Sequence, residues 1–170
     1  MVTMRKLISM LVTLPLIAAT SPALAQTAKR LEQFKDWATY SYKGDNGTVC
    51  YVLSVPSTKE PANLDHGDIY FSVSQKPGQN VAYEPQFIAS YDLREKSKVT
   101  VTIDGKDFTM FTRGKLAWLD NAAEEPTMVE AMKAGATMKV AATSGRGNDT
   151  SYTFSLNGVT AALDSIKSCK

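Results

Sequence analysis

The sequence predicts a mainly β protein, an antiparallel β-sandwich or open barrel of about eight strands with two short helices, one of them C-terminal. Apolar and polar residues alternate over much of the chain, most clearly at Val99, Val101 and Ile103, and this period of two is typical of half-buried strands. Most connections between these runs are too short for the crossovers that parallel strands need, which favours an antiparallel sheet. Only two stretches show helical spacing instead.

The alternating runs give the predicted strands in order. They cover 49–55, 69–74, 87–91, 98–103, 106–112, 116–118, 138–142 and 152–156. Asp104-Gly105 separates two of these runs and favours a tight hairpin, because both turn positions need positive φ. Residues 144–149 are predicted to form a flexible hairpin loop, and residues 57–65 the most mobile loop.

The two helical stretches are 124–134 and 158–168. In the first, Pro126 suits a first turn and Gly135 suits a helix end. In the second, apolar residues recur at i, i+3, i+4 and i+7, which predicts one buried helix face. This C-terminal helix would carry Cys169 at its end.

The first 25 residues have the layout of a secretory signal peptide. Arg5 and Lys6 precede an apolar stretch, and Ala23-Leu24-Ala25 matches the small-residue cleavage pattern. We therefore predict an exported, periplasmic protein, peripheral to the envelope or reaching the outer surface. Residues 26–36 are predicted to be a short helix or a mobile lead-in, and residues 37–170 a single β-rich domain.

Charge excludes one class of partner. Removal of Arg5 and Lys6 with the signal peptide takes two of the 19 basic residues and leaves 17 against 17 acidic residues. Nucleic-acid binding needs an excess of clustered Lys and Arg, so the sequence argues against it. No second apolar segment follows the signal peptide, so we expect no transmembrane segment in the mature chain.

Cys50 and Cys169 are the only two cysteines. In an oxidising compartment two cysteines most simply form one disulfide, here linking the strand near Cys50 to the C-terminus. The alternatives are two free thiols or a metal site that includes His66. Two cysteines and one histidine supply too few ligands for a typical zinc site, so we expect no metal and no other cofactor.

With the strands placed, the pattern resembles the invasion-associated locus B family of exported bacterial proteins. The residues that carry the resemblance, in chain order, are Trp37, Cys50, Ser54, Pro56, Gly67-Asp68, Phe71, Val73, Ile88, Tyr91, Ser97, Val99, Val101, Ile103-Asp104-Gly105, Phe108, Phe111, Ala117-Trp118, Met132, Gly135, Met138, Val140, Ser144, Arg146-Gly147, Thr150, Ser155-Leu156, Gly158, Thr160-Ala161-Ala162 and Cys169. The resemblance implies export to the periplasm or outer surface of a Gram-negative bacterium. It also implies a link to entry into host cells, and it brings no catalytic signature.

Candidate catalytic residues have simpler structural interpretations. His66 lies between two aspartates and could act as a general base, but Asp65 to Asp68 also fits a polar turn bent at Gly67. The acid pairs Asp104/Asp107 and Glu124/Glu125 suit a hairpin turn and a helix start better than paired acid catalysis. We therefore predict no catalytic residues and no enzymatic activity.

The predicted partner-binding residues are Trp118, Tyr83 and Arg146. Trp118 is placed at a strand end, and Tyr83 in a loop near Pro85. Arg146 lies between two glycines, which could cradle an anion or form only a flexible turn. Most other aromatic residues are expected to pack in the core or on a sheet face, and an exposed cluster would mark a partner surface.

Three functional hypotheses follow. The first is a non-catalytic periplasmic or envelope protein that binds a protein or envelope component through a sheet face or loop. The second is a carrier of a small molecule or lipid in an apolar cavity between sheets. The third is a hydrolase with unfamiliar acids. The absence of a catalytic pattern and the balanced charge favour the first.

Overall fold

A computed structural model describes residues 27–169, and within this range it contains eleven strands and two α-helices. The predicted signal peptide, residues 1–25, lies outside the described residues. The strands and helices are β1 Lys29–Phe34, β2 Trp37–Gly44, β3 Gly47–Ser54, β4 Thr58–Glu60, β5 Tyr70–Lys76, β6 Val81–Ile88, β7 Lys98–Ile103, β8 Lys106–Arg113, β9 Leu116–Leu119, α1 Glu125–Ala134, β10 Thr137–Thr143, β11 Asp149–Ser155 and α2 Val159–Ser165.

All eleven strands form one antiparallel sheet in the order β1-β2-β3-β5-β6-β9-β8-β7-β10-β11-β4. The sheet curls until its two halves face each other. The Trp37 indole Nε1 on β2 donates a hydrogen bond to the Ser155 carbonyl on β11 at 3.0 Å. The rings of Phe71 and Phe154 meet across the interior at 5.9 Å. The predicted mainly β, antiparallel sandwich or open barrel is confirmed as a single curled open sheet, with eleven strands instead of about eight.

The core lies inside the curled sheet and follows the predicted alternation. Val99, Val101 and Ile103 on β7 are buried, and the residues between them are more exposed. Trp37 is fully buried. The turn at Asp104-Gly105 also forms as predicted, since both residues have positive φ, 46° and 83°. The alternation of apolar and polar residues therefore determines which side chains point inward, and the backbone preferences of the Asp104-Gly105 turn set the β7–β8 register.

Both predicted helices are present and close part of the barrel. α1 buries Met128, Val129 and Met132, and α2 buries Val159, Ala162 and Leu163. α2 packs against β1, β2 and β3. Within residues 27–169, neither helix is long and apolar enough to cross a bilayer.

The disulfide between Cys50 and Cys169 is confirmed. Their Cα atoms are 5.7 Å apart, and the bond joins β3 to the segment that follows α2. The alternatives of two free thiols and of a metal site with cysteine ligands are therefore wrong, because a disulfide leaves no thiolate to bind a metal. The bond closes a loop across 119 positions of sequence.

Two segments differ from prediction. Residues 29–34, predicted as a short helix or mobile lead-in, form edge strand β1, which pairs with β2 from Lys29↔Ser41 to Phe34↔Trp37. Most of β1 is exposed, so its sequence lacks the apolar alternation that marks inner strands. The loop 57–65, predicted to be mobile, contains β4, which pairs with β11. Backbone pairing stabilises both segments, and it requires no apolar side chains.

Candidate functional site

A cleft of about 730 Å³ opens at one end of the barrel. Four segments converge there: residues 64–66 after β4, residues 90–92 between β6 and β7, Lys115 in the β8–β9 turn, and the β10–β11 hairpin around Arg146. Most of its lining residues are polar or charged, and Leu64 and Tyr91 add apolar surface. Its volume falls in the range of ligand pockets, roughly 300–1,000 Å³.

The segment 89–94 forms one wall of the cleft and is held from three sides. The Leu93 amide donates to the Gly114 carbonyl at 2.9 Å, and the Arg94 amide donates to the Thr143 carbonyl at 2.9 Å. The Ser90 hydroxyl donates to the His66 carbonyl at 2.7 Å. The Gly145 amide in turn donates to the Asp92 carbonyl at 2.6 Å. The wall is therefore preorganised by these hydrogen bonds, which include an isolated antiparallel bridge between Leu93 and Ser144.

A chain of side-chain hydrogen bonds lies beneath the cleft. His66 Nε2 is 3.0 Å from the Pro61 carbonyl, and His66 Nδ1 is 2.9 Å from the Tyr152 hydroxyl. The Tyr152 oxygen is 2.6 Å from the Tyr91 hydroxyl, which lies 2.9 Å from Thr150 Oγ1. His66 and Tyr152 are both buried. Three separate segments are thereby joined through one polar network.

The hydrogen-bond partners indicate which atoms of this network carry the hydrogens. A carbonyl only accepts, so His66 Nε2 carries a hydrogen, and in the neutral ring Nδ1 accepts from Tyr152. The Tyr152 oxygen then accepts from Tyr91. Burial raises the pKa of the Tyr152 phenol above its ordinary value, because the charged phenolate would lose its hydration. Every polar group of the network therefore has a hydrogen-bond partner.

The predicted polar turn at His66 is one part of this arrangement. The turn itself is present, since Asp65 Oδ1 accepts a hydrogen bond from the Gly67 amide at 3.0 Å and Gly67 has a φ of 56°. The imidazole, however, points into the protein, where both nitrogens have partners. One sequence signal could have revealed this. Tyr152 shares the inward face of β11 with Phe154, and a buried tyrosine hydroxyl needs a hydrogen-bond partner.

The mouth of the cleft carries charges of both signs. Lys115 and Arg146 are exposed cations, and Asp65 and Asp92 are exposed carboxylates. Within residues 27–169, the ion pairs that form involve none of these four residues. The cleft therefore contains charges that the described part of the chain does not neutralise.

A second feature is an aromatic surface on the outside of the sheet. We call it the outer aromatic face and define it by Tyr40, Tyr42, Tyr51, Phe111 and Trp118. Tyr40 stacks on Tyr51 at 5.1 Å, and Phe111 stacks on Trp118 at 5.7 Å. Phe111 is 41% exposed, and the other four are half-buried.

Strand pairing connects the two aromatic clusters of this face. One row of directly paired residues runs across five strands through Leu53, Ser72, Gln86, Trp118 and Phe111. Directly paired residues in an antiparallel sheet share a face. The five aromatic residues therefore share one face of the sheet, and between their two clusters that face carries buried Ser72 and half-buried Gln86. An outer sheet face is ordinarily solvated and polar, so this one is unusual.

The three predicted partner-binding residues lie in three places. Arg146 lines the cleft, and Trp118 belongs to the outer aromatic face. Tyr83 lies within β6 instead of a loop, and its half-buried ring packs beneath Lys133 of α1, with its hydroxyl 3.5 Å from the Leu163 carbonyl of α2. The structure thus does not bring the three together. Lys115 and Asp92 join the site without any signal in the linear sequence.

The candidate acids occupy the structural positions that the sequence favours. Asp104 is in the β7–β8 turn, and Asp107 accepts a hydrogen bond from the Thr102 hydroxyl at 2.6 Å. Glu125 begins α1, directly after Glu124. Burial raises the pKa of the Glu125 carboxyl, and the nearby Glu84 raises it further. Neither acid pair lines the cleft.

Comparison with known proteins identifies the family. A family model described as "Invasion associated locus B (IalB) protein" matches residues 37–167, well over half of the chain. The chain belongs to the IalB family. The predicted resemblance is confirmed, and the match begins at Trp37, where the predicted domain begins.

The fold agrees with a solved IalB-type structure. The crystal structure of invasion associated protein B from Bartonella henselae matches with a TM-score of 0.56 and 16% sequence identity, covering 79% of this chain and 94% of that chain. No curated protein sequence matches significantly. At this identity the likeness shows the shared fold, and the IalB family assignment rests on the family model.

Proposed function

We propose that this IalB-family chain is a non-catalytic exported protein that binds a protein of the cell envelope through its outer aromatic face. The observation that carries the proposal is the continuity of that face across the sheet. Large exposed apolar patches mark interaction sites, and tyrosine, tryptophan and phenylalanine are enriched at protein interfaces. The half-buried Gln86 on the same face supplies a polar group of the kind that such interfaces use for orientation.

The site chemistry supports binding over catalysis. Both nitrogens of His66 are occupied by Tyr152 and by a backbone carbonyl, so the imidazole has no free nitrogen with which to accept a proton from a substrate. The Ser90 hydroxyl donates to the His66 backbone and does not contact its ring. A serine nucleophile would need that contact with a base.

Packing of the interior favours a binding role over the carrier alternative. The carrier hypothesis requires an apolar cavity between the sheet halves. The corresponding region holds fully buried aromatic rings, with Phe87 5.5 Å from Tyr152 and Phe71 5.9 Å from Phe154. The cleft lies at the barrel end, and most of its lining residues are polar or charged.

Family membership and the disulfide support a periplasmic location. Disulfides persist in oxidising compartments such as the bacterial periplasm, and the Cys50–Cys169 bond is of that kind. The proposed link to host-cell invasion comes only from the family and its name. If such contact occurs, the outer aromatic face is where we expect it.

Photo-crosslinking in intact cells tests the proposal. A benzoylphenylalanine in place of Trp118 should yield a discrete protein adduct. The same probe at Ser151, exposed on β11 and outside the outer aromatic face, is the matched control. Equal adducts at the two positions, or none at Trp118, would contradict the proposal.

The captured protein is then purified and its binding measured directly. The substitution Phe111→Ser should weaken that binding at least tenfold, as expected for the loss of an exposed aromatic anchor of an interface. Arg146→Gln, in the cleft, should leave the affinity within twofold. A partner that tolerates Phe111→Ser but not Arg146→Gln would place the interface at the cleft and refute the assignment to the sheet.

A further inference from the structure

The polar cleft at the barrel end has the features of a separate ligand site. We infer that it binds a short zwitterionic peptide by both of its ends, with Lys115 and Arg146 contacting the carboxylate and Asp92 contacting the ammonium group. This inference does not depend on the outer aromatic face, so either proposal can fail alone.

The first argument is the unneutralised charge. Lys115 comes from the β8–β9 turn, Arg146 from the β10–β11 hairpin, and Asp92 from the wall segment, and all three line one cleft. The four ion pairs within residues 27–169 include none of them. Charged groups that share a cleft without pairing remain available to a ligand of complementary charge.

The second argument is the sign of the charges. A simple dianion would be attracted by Lys115 and Arg146 but repelled by Asp65 and Asp92. A neutral sugar would leave all four groups unneutralised. A ligand with one carboxylate and one ammonium complements both pairs, whereas like-charge repulsion disfavours the dianion.

The third argument is preorganisation. The wall segment is fixed by hydrogen bonds from Leu93, Arg94 and Gly145, and the floor is fixed by the His66 network. Among the described residues, no buried side-chain nitrogen or oxygen lacks a hydrogen-bond partner. The floor therefore needs no rearrangement, and the ordering cost of binding is confined to the exposed side chains that contact the ligand.

Close packing at the base of the β10–β11 hairpin supports the same arrangement of cleft residues. A side chain at Gly145 would place its Cβ 3.2 Å from the Asp92 carbonyl oxygen, and one at Gly67 would meet Ser90 Oγ at 2.4 Å. These two glycines allow the wall, the loop after β4 and the hairpin to approach closely. The close approach brings Asp92 and Arg146 into the same cleft.

NMR titration of the purified protein with trialanine tests the inference. Trialanine should shift the amide signals of residues 144–148 and of Asp92. Trialanine amide, which lacks the carboxylate, and acetyl-trialanine, which lacks the ammonium, should each bind at least threefold more weakly. Raising the salt concentration from 0.05 M to 0.5 M should also weaken binding, because these charges are exposed.

Variants separate the two charge contacts. Lys115→Gln and Arg146→Gln should each reduce trialanine affinity threefold to tenfold, whereas Lys139→Gln, an exposed lysine of β10 outside the cleft, should not. Asp92→Asn should abolish the preference for trialanine over acetyl-trialanine. Each variant must retain the dispersed spectrum of the folded protein.

Three outcomes would overturn the inference. Equal binding of the capped and uncapped peptides would show that the charges of the peptide termini do not contribute to recognition. Binding of inorganic phosphate at least as tight as that of trialanine would show a plain anion site. No shift of the cleft amides at 20 mM trialanine, in a protein with a well-dispersed spectrum, would show that the cleft does not take this class of ligand.

Discussion

Reduction of the Cys50–Cys169 disulfide should lower the free energy of unfolding by about 2–5 kcal/mol. The bond spans 119 positions. In the chain-entropy model, a loop of that length restricts the unfolded chain by about 16 cal/mol/K, which is about 5 kcal/mol at 25 °C and an upper value. The effect should arise mainly in the unfolded state, because buried Val159, Ala162 and Leu163 keep α2 packed without the bond.

Urea unfolding of the oxidised and reduced protein measures this difference. We expect a lower midpoint after reduction and a steeper dependence on urea, since the reduced unfolded chain exposes more surface. The Cys50→Ala/Cys169→Ala variant is the control. It should resemble the reduced protein, apart from a small loss of packing at buried Cys50, and should not respond to reductant. A change below about 1 kcal/mol on reduction, or a variant that still responds to reductant, would refute the loop-closure argument.

Two further predictions concern backbone space and buried polarity. Gly158→Ala should destabilise the protein by at least about 2 kcal/mol in thermal or urea unfolding, because its Cβ would lie 2.0 Å from a β1 carbonyl oxygen. The control Gly147→Ala, at a similar φ but in open space, should cost only about 1 kcal/mol. Equal losses of stability in the two variants would contradict the steric explanation. Tyr152→Phe should cost about 1–3 kcal/mol at pH 8 by leaving His66 Nδ1 without its donor. Because burial raises the pKa of Tyr152, the greater stability of the wild type over Tyr152→Phe is complete below pH about 10 and declines at higher pH. The difference in urea midpoint between the two proteins should therefore narrow between pH 9 and pH 11. A constant difference would contradict this reasoning.

Much of the fold could be predicted because its signals are local. Val99, Val101 and Ile103 share an inward face through a period of two residues, and Asp104-Gly105 forms its turn from its own backbone preferences. The apolar spacing of α2 likewise lies within one helix. β1 was missed because an exposed edge strand is held by backbone pairing with β2 and needs no apolar pattern.

The candidate site could be predicted only in part. Arg146 was identified because its flanking glycines mark a turn, and Trp118 because a tryptophan near a strand end is a natural contact residue. Lys115 and Asp92 could not be found, because nothing in their sequence neighbourhood distinguishes them from other surface charges. Their importance comes from sharing one cleft.

The sequence by itself therefore determined the mainly β architecture, both helices and the pairing of Cys50 with Cys169, since each depends on local periodicity or on there being only two cysteines. Only the tertiary structure decided that His66 is buried against Tyr152, 86 positions away, and that four unneutralised charges share one cleft. The physical reason is distance along the chain. Pairing between strands that are far apart in the sequence brings such groups together, and the residues around one group do not indicate which distant group it will contact.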